Sequence, residues 1–323
     1  MKDNDYIFSV ARIRVKEKTL LHDADIKAMI SMKDADSVLG YLTSHGWGSD
    51  TQDKTAEAVL SSEEDKTLRM IEELGLDQEI LDILSLPKLF HNLKSGIREV
   101  ISQDSHEQAF YDLSAFDRET ALHLITTKNY EAMPEQLQKV APIAYETMLK
   151  TGDSQKCDQL VDKACLDEMY AISQKASSPL LRRYESLQVA LADIKIAVRA
   201  QKMRKSLDFI KDSLADCSLL DVDALAKAAA SSQEDLFQYL GRTEFKTALD
   251  ALKKSLSAFE VWCDDQLTLL MRSEKNNIAT VGPVLAFYLA RENEIKTARI
   301  ILTAKANGFE DSVIEERARL MYV

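Results

Sequence analysis

Glycine and proline are scarce, 9 and 5 among 323 residues. That excludes a fold of many short strands joined by tight turns, which draw on those two residues. Cysteine is scarcer still, and Cys157, Cys165, Cys217 and Cys263 show none of the paired short spacings of zinc or redox motifs. No metal and no cofactor is expected, and the thiols read as reduced and buried. Long apolar runs are also missing: the strongest, Val281 to Ala290, is half of the roughly 20 residues that a spanning helix needs. The opening Met-Lys-Asp-Asn-Asp is polar and no signal-peptide core follows it, so a soluble chain is expected.

Positive charge is in deficit. Lys and Arg number 41 against 53 Asp and Glu, a formal net charge of −12. Such a chain repels a phosphate backbone, so nucleic acid is not an expected partner. Catalytic signatures are absent as well: there is no GxxxxGK[ST] loop, no GxGxxG between strand and helix, and no Gly-x-Ser-x-Gly elbow. His106-Glu107 opens like a zinc-protease helix, but the second histidine would have to stand where Phe110 is. The five histidines, His22, His45, His91, His106 and His123, lie far apart. No catalytic residue is assigned, although a triad assembled in space needs no linear signature. The pairs Glu63-Glu64 and Glu315-Glu316 read as solvated helix surface and start-of-helix charge.

What is present is helical pattern. Hydrophobic residues make up 46% and charged residues 29%, enough to bury a sizeable core, and the length suggests two or three compact units or one body of repeats. Leu180, Tyr184, Leu187, Leu191, Ile194 and Val198 recur in alternating steps of four and three, the seam of a long helix packed on other helices. Ser178-Pro179 supplies its start. Phe245, Leu249, Leu252, Leu256, Phe259 and Cys263 repeat the rhythm and predict a second helix. A third runs from Pro283 to about Lys305 and stops at Asn307-Gly308. Ser312 with Glu315 forms a candidate capping box for a last short helix. Loops are expected at Ser44 to Gln52 and Lys150 to Gln155. No period-2 pattern argues for a sheet.

An internal repeat is the most informative feature. Asn92-Leu93-Lys94, Asp193-Ile194-Lys195 and Glu294-Ile295-Lys296 place lysines at two successive intervals of 101 residues (195 minus 94, and 296 minus 195). Arg98 and Arg199 follow the first two at i+4, and Arg299 follows the third at i+3. After each comes an acidic residue before an apolar helix, at Phe116-Asp117, Leu220-Asp221 and Phe309-Glu310. Near the N-terminus Ala11-Arg12-Ile13-Arg14 precedes Leu21-His22-Asp23, and Asp36 to Thr43 echoes Asp235 to Thr243. The pattern suggests three related helical units.

Lys195, Arg199 and Lys202 share one strip bordering the buried seam. Two readings stand side by side. The strips form ordinary surface pairs and cover the core with their apolar stems, or equivalent helices converge so that the strips line a polar concavity gripping a partner.

Two segments carry a family resemblance: Tyr6 to Leu21, YIFSVARIRVKEKTLL, and Gly282 to Val323, GPVLAFYLARENEIKTARIILTAKANGFEDSVIEERARLMYV. The A-R-I-R start, the E-I-K-x-x-R-I-I-L core and the R-x-R-x-M-Y-V ending resemble the C subunit of the archaeal and bacterial V/A-type rotary ATPases, the counterpart of the d subunit in the eukaryotic vacuolar enzyme. In the middle, Phe90-His91-Asn92-Leu93-Lys94 and Leu191-Ala192-Asp193-Ile194-Lys195 resemble that family's internal copies. The chain departs from the pattern after Asn307-Gly308, where Phe309-Glu310-Asp311 replaces a frequent proline.

The resemblance implies an all-α, funnel-shaped body of three related helical-repeat domains with pseudo-threefold symmetry. The corresponding segments are 1–105, 106–206 and 207–323. It implies a non-catalytic central-stalk connector on the cytoplasmic face of the membrane, peripheral to it, joining the rotor axle subunits to the membrane rotor ring. Arg12, Arg14, Lys94, Arg98, Lys195, Arg199, Lys296 and Arg299 are the candidate partner contacts, from their recurrence at repeat-equivalent places. The transported ion belongs to the ring and is not written in this chain. Two other classes remain open: a helical-repeat adaptor unrelated to rotary motors, and an enzyme whose acid/base site assembles in space, which a pocket with two perturbed carboxylates would support.

Overall fold

The computed structural model describes residues 6–76, 78–105, 109–113, 115–176, 178–278 and 280–323, so His106 and Glu107 lie outside the described residues. Among those residues there is no strand, and the all-α expectation holds. In chain order the helices are α1 (Ile7–Lys16), α2 (Asp23–Ile30), α3 (Ala35–Ser44), α4 (Ala56–Glu72), α5 (Gln78–Ser102) and α6 (Arg118–Thr126). Then follow α7 (Glu135–Gln138), α8 (Val140–Thr151), α9 (Ser154–Lys175), α10 (Pro179–Lys202), α11 (Leu207–Ser213) and α12 (Val222–Ser231). The last are α13 (Gln233–Leu240), α14 (Ala248–Lys254), α15 (Leu256–Ser273), α16 (Gly282–Ala306) and α17 (Asp311–Glu315). They group into two compact units, Met1–Asp77 with Phe245–Val323, and Gln78–Glu244.

Local chemistry sets most boundaries. The Ser178 hydroxyl accepts the Leu181 N–H at 3.4 Å and Pro179 occupies the first turn of α10, as the sequence predicts. α16 ends before Gly308, whose φ of +68° lies in the left-handed region. Three boundaries differ from the sequence-based expectation. The rhythm from Phe245 to Cys263 does not form one helix, because Ser255 turns its backbone to an extended conformation and its hydroxyl accepts the Ala258 N–H at 3.0 Å, ending α14 and starting α15. The link expected over Lys150 to Gln155 shrinks to Gly152, left-handed at φ +64°, and Asp153, which caps α9. The Ser312/Glu315 capping box does not form; α17 starts two residues earlier, behind Glu310.

Within the first unit, α16 packs against α3, α4 and α15. Its core joins Leu21, Ile26, Met29, Val38, Leu42, Val59 and Leu60 to Ile295, Ala298, Ile301, Leu302 and Met321. Each fully buried Val, Leu, Ile or Met side chain among them contributes roughly 1.5–3 kcal/mol. Glu63, expected on a solvated face, is instead buried and accepts the Gly48 N–H at 3.2 Å. The loop carrying Gly48 folds back over that face of α4 and brings the Gly48 amide to the carboxylate, which also meets Lys66 one turn along the same helix. Glu64 is buried too, whereas Glu315 and Glu316 are exposed as expected.

In the second unit, α5 packs on α6, α8 and α9, and α10 packs on α9, α11 and α12. α10 is enclosed more completely than its seam predicts: Glu185, Ser186, Val189 and Ala190 are buried along with Tyr184, Leu187, Leu191, Ile194 and Val198. Cys157, Cys165 and Cys263 are buried and Cys217 is half-buried, and none of the four forms a disulfide. No helix among the described residues is long and apolar enough to cross a membrane.

Candidate partner-binding sites

The recurrent tripeptides all fall on long helices. α5 and α10 open at Gln78 and Pro179, and α16 at Gly282. The first residue of each tripeptide points into its own unit, and each accepts a backbone N–H from a segment remote in sequence. Asn92 accepts the Tyr111 N–H at 2.9 Å and donates its amide to the carbonyls of Tyr111 at 2.9 Å and Phe116 at 2.8 Å. Asp193 accepts the Ala215 N–H at 3.0 Å through Oδ1, while its Oδ2 has no hydrogen-bond partner. Glu294 accepts the Leu21 N–H at 2.7 Å, and its second oxygen takes the Arg291 guanidinium at 2.8 Å. Each is almost wholly buried (0%, 0% and 1% exposed).

Behind each acceptor a short helix begins. Asp117 caps α6 and Asp221 caps α12, each taking a backbone N–H of the first turn. The third counterpart is the N-terminal segment, where Leu21 is buried and the His22 N–H donates to Asp25 at 2.7 Å as α2 opens. Phe309-Glu310, which the sequence also suggested, behaves differently: Phe309 is exposed and Glu310 makes no side-chain cap.

Burial dominates the electrostatics. It pushes the Asp193 carboxyl up to about 7 against the pull of the Ala215 N–H, and the Glu185 carboxyl, which has no partner, up to about 8. It pushes Glu294 up too, with Arg291 pulling back. The Arg291 cation is itself enclosed, 5.5 Å from the Trp47 ring centroid and donating to the Thr19 hydroxyl at 2.8 Å. A polar hollow of about 500 Å³ in the second unit is walled instead by Lys163, Lys211, Asp216, Cys217, Asp221 and Asp223, and there Lys211 holds Asp223 below its usual range.

The candidate cations fare differently from one another. Lys94 meets Asp162 at 2.5 Å and Arg98 meets Asp158, so an i,i+4 pair on α5 faces an i,i+4 pair on α9. Lys296 meets Asp264 of α15 at 2.5 Å, and Arg299 meets Glu57 of α4 at 2.8 Å. Arg12 pairs with Glu73 at 3.5 Å, and Arg14 with Glu17 at 2.8 Å as well as with the Lys275 carbonyl. Lys195 is half-buried with no ion-pair partner among the described residues, and Arg199 is exposed. The structure thus gathers Lys94 with Arg98 and Lys296 with Arg299 into helix-to-helix ion pairs. What the tripeptides alone could not show was that their first residue, Asn, Asp or Glu, is the interior anchor. The signal was there in a polar acceptor flanked by apolar neighbours at the same register.

Comparison with known proteins places this arrangement. The model of the family described as ATP synthase (C/AC39) subunit matches residues 9–317. The C subunit of the V-type sodium ATPase of Enterococcus hirae is 23% identical over 317 residues, a stretch that takes in 96% of this chain and 97% of that protein. The C subunit of the A-type ATP synthase of Halorubrum lacusprofundi is 26% identical over 243 residues, 69% of each chain. Its counterpart in Methanobrevibacter smithii is 24% identical over 264 residues, 78% of this chain and 63% of that protein. With a match that runs through both compact units and all three recurrent sites, the chain belongs to the ATP synthase (C/AC39) subunit family, the C subunits of V-type and A-type ATPases.

Proposed function

We propose that this chain is the non-catalytic central-stalk connector of a V/A-type rotary ATPase, joining the rotor axle subunits to the membrane rotor ring and turning with them. The observation that carries the reading is the extent of the match, which spans nearly the whole of a V-type ATPase C subunit rather than one motif. Supporting it is the build of the molecule: long helices, with the buried carboxyls of Asp193 and Glu294 serving as interior anchors. A body that transmits torque needs rigidity and broad surface, and interfaces between soluble parts take their orientation from charge.

The same buried acceptor on three long helices, at 92, 193 and 294, supports a body of three related units with pseudo-threefold symmetry over residues 1–105, 106–206 and 207–323. In this reading the subunit lies on the cytoplasmic face of the membrane, peripheral to it through the ring. Within this reading Arg12, Arg14, Lys94, Arg98, Lys195, Arg199, Lys296 and Arg299 are the candidate contacts.

The test is to tag the protein in its host, solubilise membranes gently and identify what co-purifies by mass spectrometry. Stoichiometric axle and ring subunits are expected. Recovery of unrelated soluble partners in their place would replace the connector with an adaptor.

A further inference from the structure

In the C-terminal half of α10, Lys195 and Lys202 are answered differently from the recurrent cations of α5 and α16. Lys94 and Arg98 meet aspartates of α9, and Lys296 and Arg299 meet Asp264 and Glu57. On α10 neither Lys195 nor Lys202 has an ion-pair partner among the described residues, and Arg204, in the turn that follows, has none either. Residues 194–207 hold Lys195, Arg199, Lys202, Arg204 and Lys205 and no acid at all, in a chain of net charge −12.

The fold accounts for only part of this. Cations in a last helical turn face the partial negative charge of the exposed carbonyls. Lys195 stands two turns upstream of that end, and Arg204 lies beyond it. Arg204 also has φ +51°, a left-handed backbone that glycine takes without strain, as Gly308 does after α16 at φ +68°. A side chain there costs about 1 kcal/mol of backbone strain relative to glycine, as it does at Gln103 and Lys128, which share the left-handed region. Lys205 sits 4.7 Å from the Phe209 ring centroid, which holds the corner in place, and Met203 is exposed beside it.

Lys195, Lys202 and Arg204, with no carboxylate of their own unit to meet them, call for anions from outside. A helix lying on a bilayer would set a row of apolar residues beside its cations, but here Ile194, Ala197, Val198 and Ala200 are buried in the unit's own core and Met203 is a single exposed apolar side chain beside the strip. Lys195 and Lys202, seven residues apart, follow a line of about 10 Å along the helix axis. That line matches carboxylates two turns apart on a facing helix. We propose that the strip from Lys195 to Lys205 is the docking site for an acidic helix of a partner subunit. The inference rests on the connector reading and adds which of the three recurrent strips engages the partner.

The test compares the full chain with two variants, Lys195→Glu/Lys202→Glu and Arg204→Gly, in the tagged membrane complex at physiological salt. A control, Lys253→Glu/Lys254→Glu, makes the same change in net charge on exposed residues of α14. The strip pair is expected to lower recovery of an axle or ring subunit about tenfold with an unchanged helical spectrum. Arg204→Gly is expected to weaken the same contact while its Tm stays level or rises, a split that a merely structural arginine would not produce. Wild-type recovery by both strip variants, or an equal loss in the control, overturns the inference and leaves the connector standing. Failure of the wild-type chain to recover any rotary subunit removes the connector reading and the inference with it. Flotation of the wild-type chain, but not of the strip pair, with vesicles of phosphatidylserine and phosphatidylcholine would reassign the strip to a lipid surface and overturn the proposal.

Discussion

Glu294 accepts the Leu21 N–H at 2.7 Å, joining residues 273 positions apart. Its other oxygen holds Arg291, which in turn reaches the Thr19 carbonyl at 3.1 Å and hydroxyl at 2.8 Å, so one buried pair fastens the segment before α2 to α16. Glu294→Ala strands an enclosed guanidinium and leaves the Leu21 amide unmet, and should cost about 3–5 kcal/mol. Urea unfolding measures it, and a loss below about 1 kcal/mol would show that water replaces the carboxylate.

Glu185 tests the interior of α10. Burial pushes its carboxyl from 4.5 to about 8 with no partner to offset it. The folded chain therefore keeps the proton between those values while the unfolded chain releases it. The contribution to stability is fully present below pH 4.5 and is lost as pH rises toward 8. Glu185→Gln should leave the Tm nearly unchanged at the acid end of that window and raise it at the alkaline end. The gain there should be on the order of a few kcal/mol. A Tm difference that is flat across pH would mean the carboxylate is solvated.

Two glycines in one loop give a steric contrast. Gly46 and Gly48 have φ of +87° and +65°; a Cβ at Gly46 meets nothing within 4 Å, whereas one at Gly48 would lie 2.8 Å from Val59 Cγ2. Gly46→Ala should cost about 1 kcal/mol from backbone strain alone. Gly48→Ala should cost about 1–3 kcal/mol more, because Val59 is locked in the core. Equal thermal stabilities for the two variants would contradict that packing.

The sequence disclosed what local chemistry decides. Ser178-Pro179 and Gly308 mark helix ends through capping and left-handed backbone, interactions spanning a few residues, and their positions were legible. Ser255 was not, because the apolar rhythm from Phe245 to Cys263 runs straight through it and only the folded chain decides that its hydroxyl caps α15 rather than facing solvent in a longer helix. Glu63 was misread because the loop that covers it, at Gly48, lies 15 residues away with no pattern linking the two. The candidate sites show the same limit. The recurrence at 94, 195 and 296 was visible, yet the partners Asp158, Asp162, Asp264 and Glu57 were not, since a cation's neighbour across a helix interface leaves no trace at its own position.

The discontinuity of the first unit has a consequence for synthesis. Residues 78–244 form a compact unit from one uninterrupted stretch, and that stretch can complete its packing while the rest of the chain is still being made. The helices α2 to α4 emerge earlier but must wait for Ile295, Ile301, Leu302 and Met321 before their apolar faces are covered. During that interval Val38, Leu42 and Val59 are exposed to water and to other nascent chains. Helices α2 to α4 are thus made before the residues that complete their core, and a chaperone acting on this protein would be engaged there, on apolar faces not yet closed over.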